Sequence, residues 1–156
     1  MRQSTQMMTR VAAAFAVLLV VGCGGKAQAS NVPKDTDLVI KKPAVTSTVT
    51  FLPYYSGSTY MEIMAVRAPD GTVRTALNTC QVCYNSGRGY YKQVGDVVVC
   101  QNCGNRFRID QIELIKGGCN PVPITKDLKT ETADTITIGK DLLAQAVVFF
   151  KRWKKA

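Results

Sequence analysis

Four of the six cysteines stand in two pairs with two residues inside each, Cys80-Gln-Val-Cys83 and Cys100-Gln-Asn-Cys103, separated by residues 84–99. Two intervening residues let the backbone curl into a knuckle that points both sulfurs at one ion, and two such knuckles supply the four thiolates of a tetrahedral metal site. The chemistry open to that set is metal binding, with zinc, a single iron or a [2Fe–2S] cluster as occupants. The competing reading is a pair of disulfides, because the N-terminus directs the chain out of the cytoplasm, where thiols oxidise. Cys119 is an odd thiol outside the two pairs. It is a candidate accessory thiol, either a fifth, exchangeable ligand or a resolving thiol near the site, with a buried inert cysteine as the plain alternative.

Something must bring the two knuckles together, and a β-hairpin does so most simply. Ser86-Gly-Arg-Gly89 reads as a loop, Tyr90 to Val94 as a strand, Gly95-Asp96 as a turn and Val97 to Val99 as the returning strand. Gly104 follows the second pair directly, where a residue without Cβ lets backbone N–H groups turn toward sulfur. Upstream, Val45, Val49 and Phe51 alternate with threonines as in a half-buried strand. Tyr60–Arg67 and Val73–Thr79 read as two more strands around a Pro69-Asp-Gly-Thr72 turn, the second running into the first knuckle. Downstream, residues 106–109 and 112–115 are short strand candidates and residues 117–123 form a loop. The expected fold is mainly β: a small Rieske-like or ribbon-like β domain built around a four-cysteine metal site, closed by one C-terminal α-helix.

The chain has 156 residues, 46% hydrophobic, no histidine and a formal charge of +9. Arg2 and Arg10 precede an apolar run from Val11 to Val21 and then Gly22-Cys23-Gly24. This order resembles a bacterial lipoprotein signal, with residues 1–22 removed and Cys23 lipidated; the run is too short to span a bilayer comfortably as an uncleaved anchor. Removal takes away two arginines and no acids, leaving 18 basic against 11 acidic residues, a net +7. On an exported chain that charge meets anionic headgroups, and nucleic acid is excluded as a partner. Residues 23–43 are polar and broken by prolines and read as a flexible tether with a reach of roughly 25 Å. Residues 44–156 form the metal-binding domain. From Lys140 to Lys155, Leu142, Leu143, Ala146, Val147, Phe150 and Trp153 recur at helical spacing beside lysines and arginine. Such a basic amphipathic helix either caps the sheet or lies on the membrane surface.

Three stretches carry a family resemblance: residues 75–91 (TALNTCQVCYNSGRGYY), 99–107 (VCQNCGNRF) and 117–124 (GGCNPVPI). They resemble the FtrD-like membrane iron–sulfur domain family over roughly residues 45–140. The resemblance implies an accessory of bacterial ferrous-iron uptake, acting in electron transfer or iron handling beside a membrane transporter. A second likeness is local: residues 98–107 look like the second cluster-binding loop of Rieske domains, with cysteine in place of the ligand histidine. With no histidine in the chain, two-histidine ligation and its high potential are ruled out.

The arginines of the signal are isolated, so the chain is expected to cross the membrane unfolded and take its metal outside. That favours a single zinc or iron over a pre-assembled cluster; iron is taken first, mononuclear or [2Fe–2S], with zinc as the alternative. Arg88, Lys92, Arg106 and Arg108 flank the knuckles and would offset a negatively charged thiolate site, unless they are simply solvated. Tyr60, Glu62 and Met64 share one face of a strand and could hold a cation transiently, with core packing the simpler role for the methionines. No residue set resembles a hydrolytic or group-transfer site, so no independent enzyme is expected. The functional reading is a lipid-anchored, extracytoplasmic metal-binding protein at the cell membrane, facing the periplasm or cell exterior, serving an iron-transport or redox partner. Its alternative is a zinc- or disulfide-stapled structural and interaction module without redox activity.

Overall fold

A computed structural model describes residues 32–155. The expected signal peptide, the lipidation site Cys23 and the first part of the expected tether lie outside the described residues. In chain order the elements are β1 (Leu38–Lys41), β2 (Thr50–Ser56), β3 (Thr59–Arg67), β4 (Val73–Cys80), β5 (Tyr91–Val94), β6 (Val97–Cys100), β7 (Arg106–Arg108), β8 (Pro121–Pro123), β9 (Thr130–Glu131), β10 (Thr135–Ile138) and α1 (Lys140–Ala146). The domain is mainly β with one C-terminal α-helix, as expected.

Three antiparallel sheets build it. The central one runs β2-β3-β4-β8, a second runs β1-β10-β9, and the third, β5-β6-β7, carries the cysteine hairpin. The centre of β3 and the whole of β4 are buried on both faces, so their side chains divide by parity. Met61, Ile63, Ala65 and Leu77 face a core completed by Leu38, Ile40, Ile136 and Ile138 of the second sheet and by Leu143 and Ala146 of α1. Met64, Val66 and Ala76 face the other way, onto Tyr91, Val98, Phe107, Ile112 and the cysteines. The cysteines therefore sit on an apolar wall supplied by the central sheet.

Five expectations are corrected. Residues 45–49, expected as the start of a strand, precede β2, which begins at Thr50, and residues 121–123, expected within a loop, form β8 against β4. Residues 38–41 were expected to be tether, yet they form β1, paired Leu38 to Ile138 and Ile40 to Ile136; Leu38 and Ile40 are buried while Val39 is exposed. Residues 112–115 were expected to be a strand, yet they form a turn, with Ile112 buried and Leu114 and Ile115 exposed. The C-terminal helix stops at Ala146 and tightens into a 3₁₀ turn over Val147–Phe149, where β-branched and aromatic residues follow one another and helix propensity is poor. Trp153 then turns inward at 3% exposure, edge-on to Phe150 at 5.0 Å and to Tyr90 at 6.0 Å. The helix caps the sheet, and Trp153, in the turn beyond it, is a core residue rather than a membrane anchor.

Candidate metal centre

β4 delivers the first knuckle. Its register against β8 shifts between Leu77 and Cys80, and a bulge of this kind re-aims the side chains at the strand end. Cys80 N–H then donates to Gly89 O at 2.7 Å, and Tyr84 N–H closes the turn onto Cys80 O at 3.0 Å. A side chain at Gly89 would run into the backbone carbonyl of Cys83, so glycine is required where the loop passes under the knuckle. The second knuckle repeats the turn at the end of β6: Gly104 N–H donates to Cys100 O at 2.9 Å, with Gly104 at φ +74°, a conformation that glycine adopts without strain. β5 and β6 pair Tyr91 with Cys100, which carries the second knuckle back to the first as the hairpin reading required.

All five described cysteines are free thiols. Cys80, Cys83 and Cys100 are buried, Cys119 is half-buried and Cys103 is exposed. Their sulfurs group as two triads that share Cys83: Cys80, Cys83 and Cys119 lie within 4.8 Å of one another, and so do Cys83, Cys100 and Cys103. Both pairs predicted from the sequence are thus brought together, and Cys119 joins them. Crowding divides the thiols electrostatically. Burial pushes Cys83 and Cys100 up to about 12. Cys119 rises to about 11, mainly through its hydrogen bond with Cys103 and then through burial. Cys80 and Cys103 go the other way. Burial opposes their ionisation, but donors outweigh it: the Tyr91 hydroxyl and the Cys83 and Val82 N–H groups at Cys80, the Asn105 N–H and neighbouring thiols at Cys103. Cys83 N–H lies 3.3 Å from the Cys80 sulfur. The Tyr91 hydroxyl has one proton, and the Cys119 carbonyl at 2.6 Å is its better acceptor, so the N–H groups do most to hold Cys80 down.

One of the four flanking cations is engaged away from the sulfurs. Arg108 is held by Asp110, Nη2 to Oδ2 at 2.8 Å. The hydrogen bonds that lower Cys80 and Cys103 come from N–H groups, a tyrosine and other thiols. Glu62 accepts from Tyr60 Oη at 3.0 Å, Asn78 Nδ2 at 2.7 Å and Lys154 Nζ at 3.0 Å, and Met61 and Met64 are fully buried. That strand face is a satisfied polar network beside the packed Met64, with Met61 packed on the opposite face, so core packing is the role the methionines have. Sequence reasoning missed the residues that hold the site in place: Tyr91, Asn78, which accepts Tyr91 N–H at 2.9 Å, Asn105 and Gln81. Their positions beside the cysteines were visible, but their partners lie on other strands.

Five soft sulfur donors, two of them biased toward thiolate and three pushed up by burial and by hydrogen bonds with neighbouring thiols, suit a soft or borderline cation whose charge offsets theirs. The donor set fits an iron–sulfur or thiolate-bound metal and gives no preference between iron and zinc. No helix among the described residues is long and apolar enough to cross a membrane. No curated protein and no solved structure matches the chain. One family does, described as membrane iron-sulfur containing protein FtrD-like, over residues 45–150. With both cysteine knuckles, the Cys119 stretch of residues 117–124 and most of its length inside that match, the chain belongs to the FtrD-like family of membrane iron–sulfur-containing proteins.

Proposed function

We propose that this protein is a lipid-anchored, extracytoplasmic metal-binding protein that carries electrons or handles iron for a ferrous-iron transporter. The observation behind it is the convergence of two C-x-x-C knuckles on one sulfur cluster with Cys103 exposed. Cys80, Cys83, Cys100 and Cys103 hold the metal. Iron bound there would supply one-electron redox chemistry, whereas zinc would supply none. The chain's own residues do the rest. The apolar wall of Met64, Ala76 and Val98 keeps water from the buried sulfurs, and the knuckle N–H groups stabilise thiolate at Cys80 and Cys103. The exposed Cys103 edge is the side from which a partner's electron acceptor or an incoming ion approaches. The anchor at Cys23 keeps the domain beside the membrane.

Two measurements test this reading. Protein purified anaerobically from its native host should show thiolate-to-iron charge-transfer bands that bleach reversibly with dithionite, and Cys100→Ser should shift or abolish them. Protein that carries zinc alone would replace electron transfer with the structural reading. For the anchor, radiolabelled palmitate should enter the wild type and not Cys23→Ser; an unlabelled wild type would remove the lipid from the proposal.

A further inference from the structure

The loop bearing Cys119 is fastened to both knuckles. Gln81, inside the first pair, accepts Gly117 N–H at 3.1 Å, gives its own N–H to Asn120 O at 3.0 Å and its side-chain amide to Pro121 O at 3.1 Å. From the other side Asn105, just past the second knuckle, donates Nδ2 to Cys119 O at 2.9 Å, and Tyr91 donates its hydroxyl to the same oxygen at 2.6 Å. Gly117 and Gly118, at φ +90° and +62°, make the left-handed bend that brings the loop in. A carbonyl held from two sides fixes the one thiol attached to it, over a site that already has four.

The sulfur positions indicate what the fifth thiol does. Around a single tetrahedral ion with metal–sulfur bonds near 2.3 Å, four sulfurs stand about 3.8 Å apart, and a fifth has no place. Here the sulfurs form two overlapping triads, Cys80–Cys83–Cys119 and Cys83–Cys100–Cys103, with Cys83 common to both. A thiolate sulfur has lone pairs enough to bind two soft cations at once. Burial of Cys83 and its contacts with thiols on both sides put it where such a bridge belongs.

We propose that the site is a five-thiolate centre for two divalent cations of the iron and zinc class. One ion is held by Cys80, Cys83 and Cys119, the other by Cys83, Cys100 and Cys103, and the Cys83 sulfur bridges them. Each thiol that binds gives its proton to solvent, so two dications on five thiolates leave a net charge of −1, against −2 for one dication on four. A triad also leaves each ion room for an exchangeable ligand, which suits the handling of iron as cargo. This inference rests on the reading of the knuckle cysteines as metal ligands.

The test is stoichiometry on the reduced, metal-free full chain kept under anaerobic conditions. Cobalt(II) serves as the optical probe and zinc as the probe for native mass spectrometry. The wild type should take up two equivalents of either, with the thiolate-to-cobalt bands changing shape as the second ion enters and the sulfur bridge forms. Cys119→Ala should take up one and keep thiolate-to-cobalt bands. Its folding is checked by far-ultraviolet circular dichroism, and the loop is pinned there by backbone rather than by the thiol. One equivalent in both proteins overturns the two-ion centre and leaves the metal reading intact. Two equivalents in both overturns the role of Cys119, and none in the wild type overturns the metal reading itself.

Discussion

Cys83→Ala is expected to abolish tight metal binding and to make the domain's stability indifferent to chelators. Other single cysteine losses leave a triad intact: without Cys100 the set of Cys80, Cys83 and Cys119 survives, and without Cys80 the set of Cys83, Cys100 and Cys103 survives. Cys83 alone belongs to both. Metal bound only by the folded state stabilises it by mass action, and structural thiolate sites contribute on the order of 10 kcal/mol of apparent binding free energy. Losing one buried thiol by itself costs far less, on the order of 1 kcal/mol. The metal term therefore dominates the outcome. Urea unfolding of wild type with and without chelator should show a large downward shift of the midpoint. The Cys83→Ala midpoint should fall near the chelated wild-type value and stay there when chelator is added. A variant that still responds to chelator as strongly as the wild type would show that the sulfurs do not depend on Cys83.

The cysteine hairpin was legible in the sequence because each of its signals is local. The two-residue knuckle spacing, the Gly95-Asp96 turn and the valines of β6 all act within a few residues of one another. What escaped depends on partners far along the chain. Residues 38–41 (LVIK) look like linker beside Lys34, Lys41 and Lys42, and become β1 only because Thr135–Ile138 lies ready to pair with them. Trp153 continues a helical spacing on paper, but the Val147-Val-Phe-Phe150 run breaks the helix first and the ring enters the core from a turn. Cys119 was visible as a leftover thiol. Its place in the cluster is set by Gln81, Tyr91 and Asn105, and no spacing rule ties those three to it.

Glu113→Ala is expected to cost about 3–5 kcal/mol of folding stability although the residue lies outside the cysteine cluster. Its backbone sits at φ +73°, a conformation that costs a residue with a Cβ on the order of 1–3 kcal/mol and persists only where surroundings enforce it. Here the enforcement is polar. The Glu113 carboxylate takes the Thr75 N–H of β4 at 3.0 Å and the Lys129 ammonium at 2.6 Å. The Lys129 side chain is fully buried, with Glu131 3.3 Å away and the Thr75 hydroxyl at 3.0 Å as its remaining partners. Alanine would relieve none of the backbone strain and would leave an N–H and much of a buried charge unanswered. Glycine would relieve the strain and lose the same partners, so Glu113→Gly should fall short of the alanine loss by the strain term. Glu113→Ala combined with Lys129→Met removes the stranded charge and should recover most of the deficit, since replacing both members of a buried pair is far milder than removing one. Urea midpoints of the four proteins decide it. A double variant no more stable than Glu113→Ala would mean that the cost lies in the lost Thr75 contact rather than in the lysine, and a glycine variant no better than alanine would remove the strain from the account.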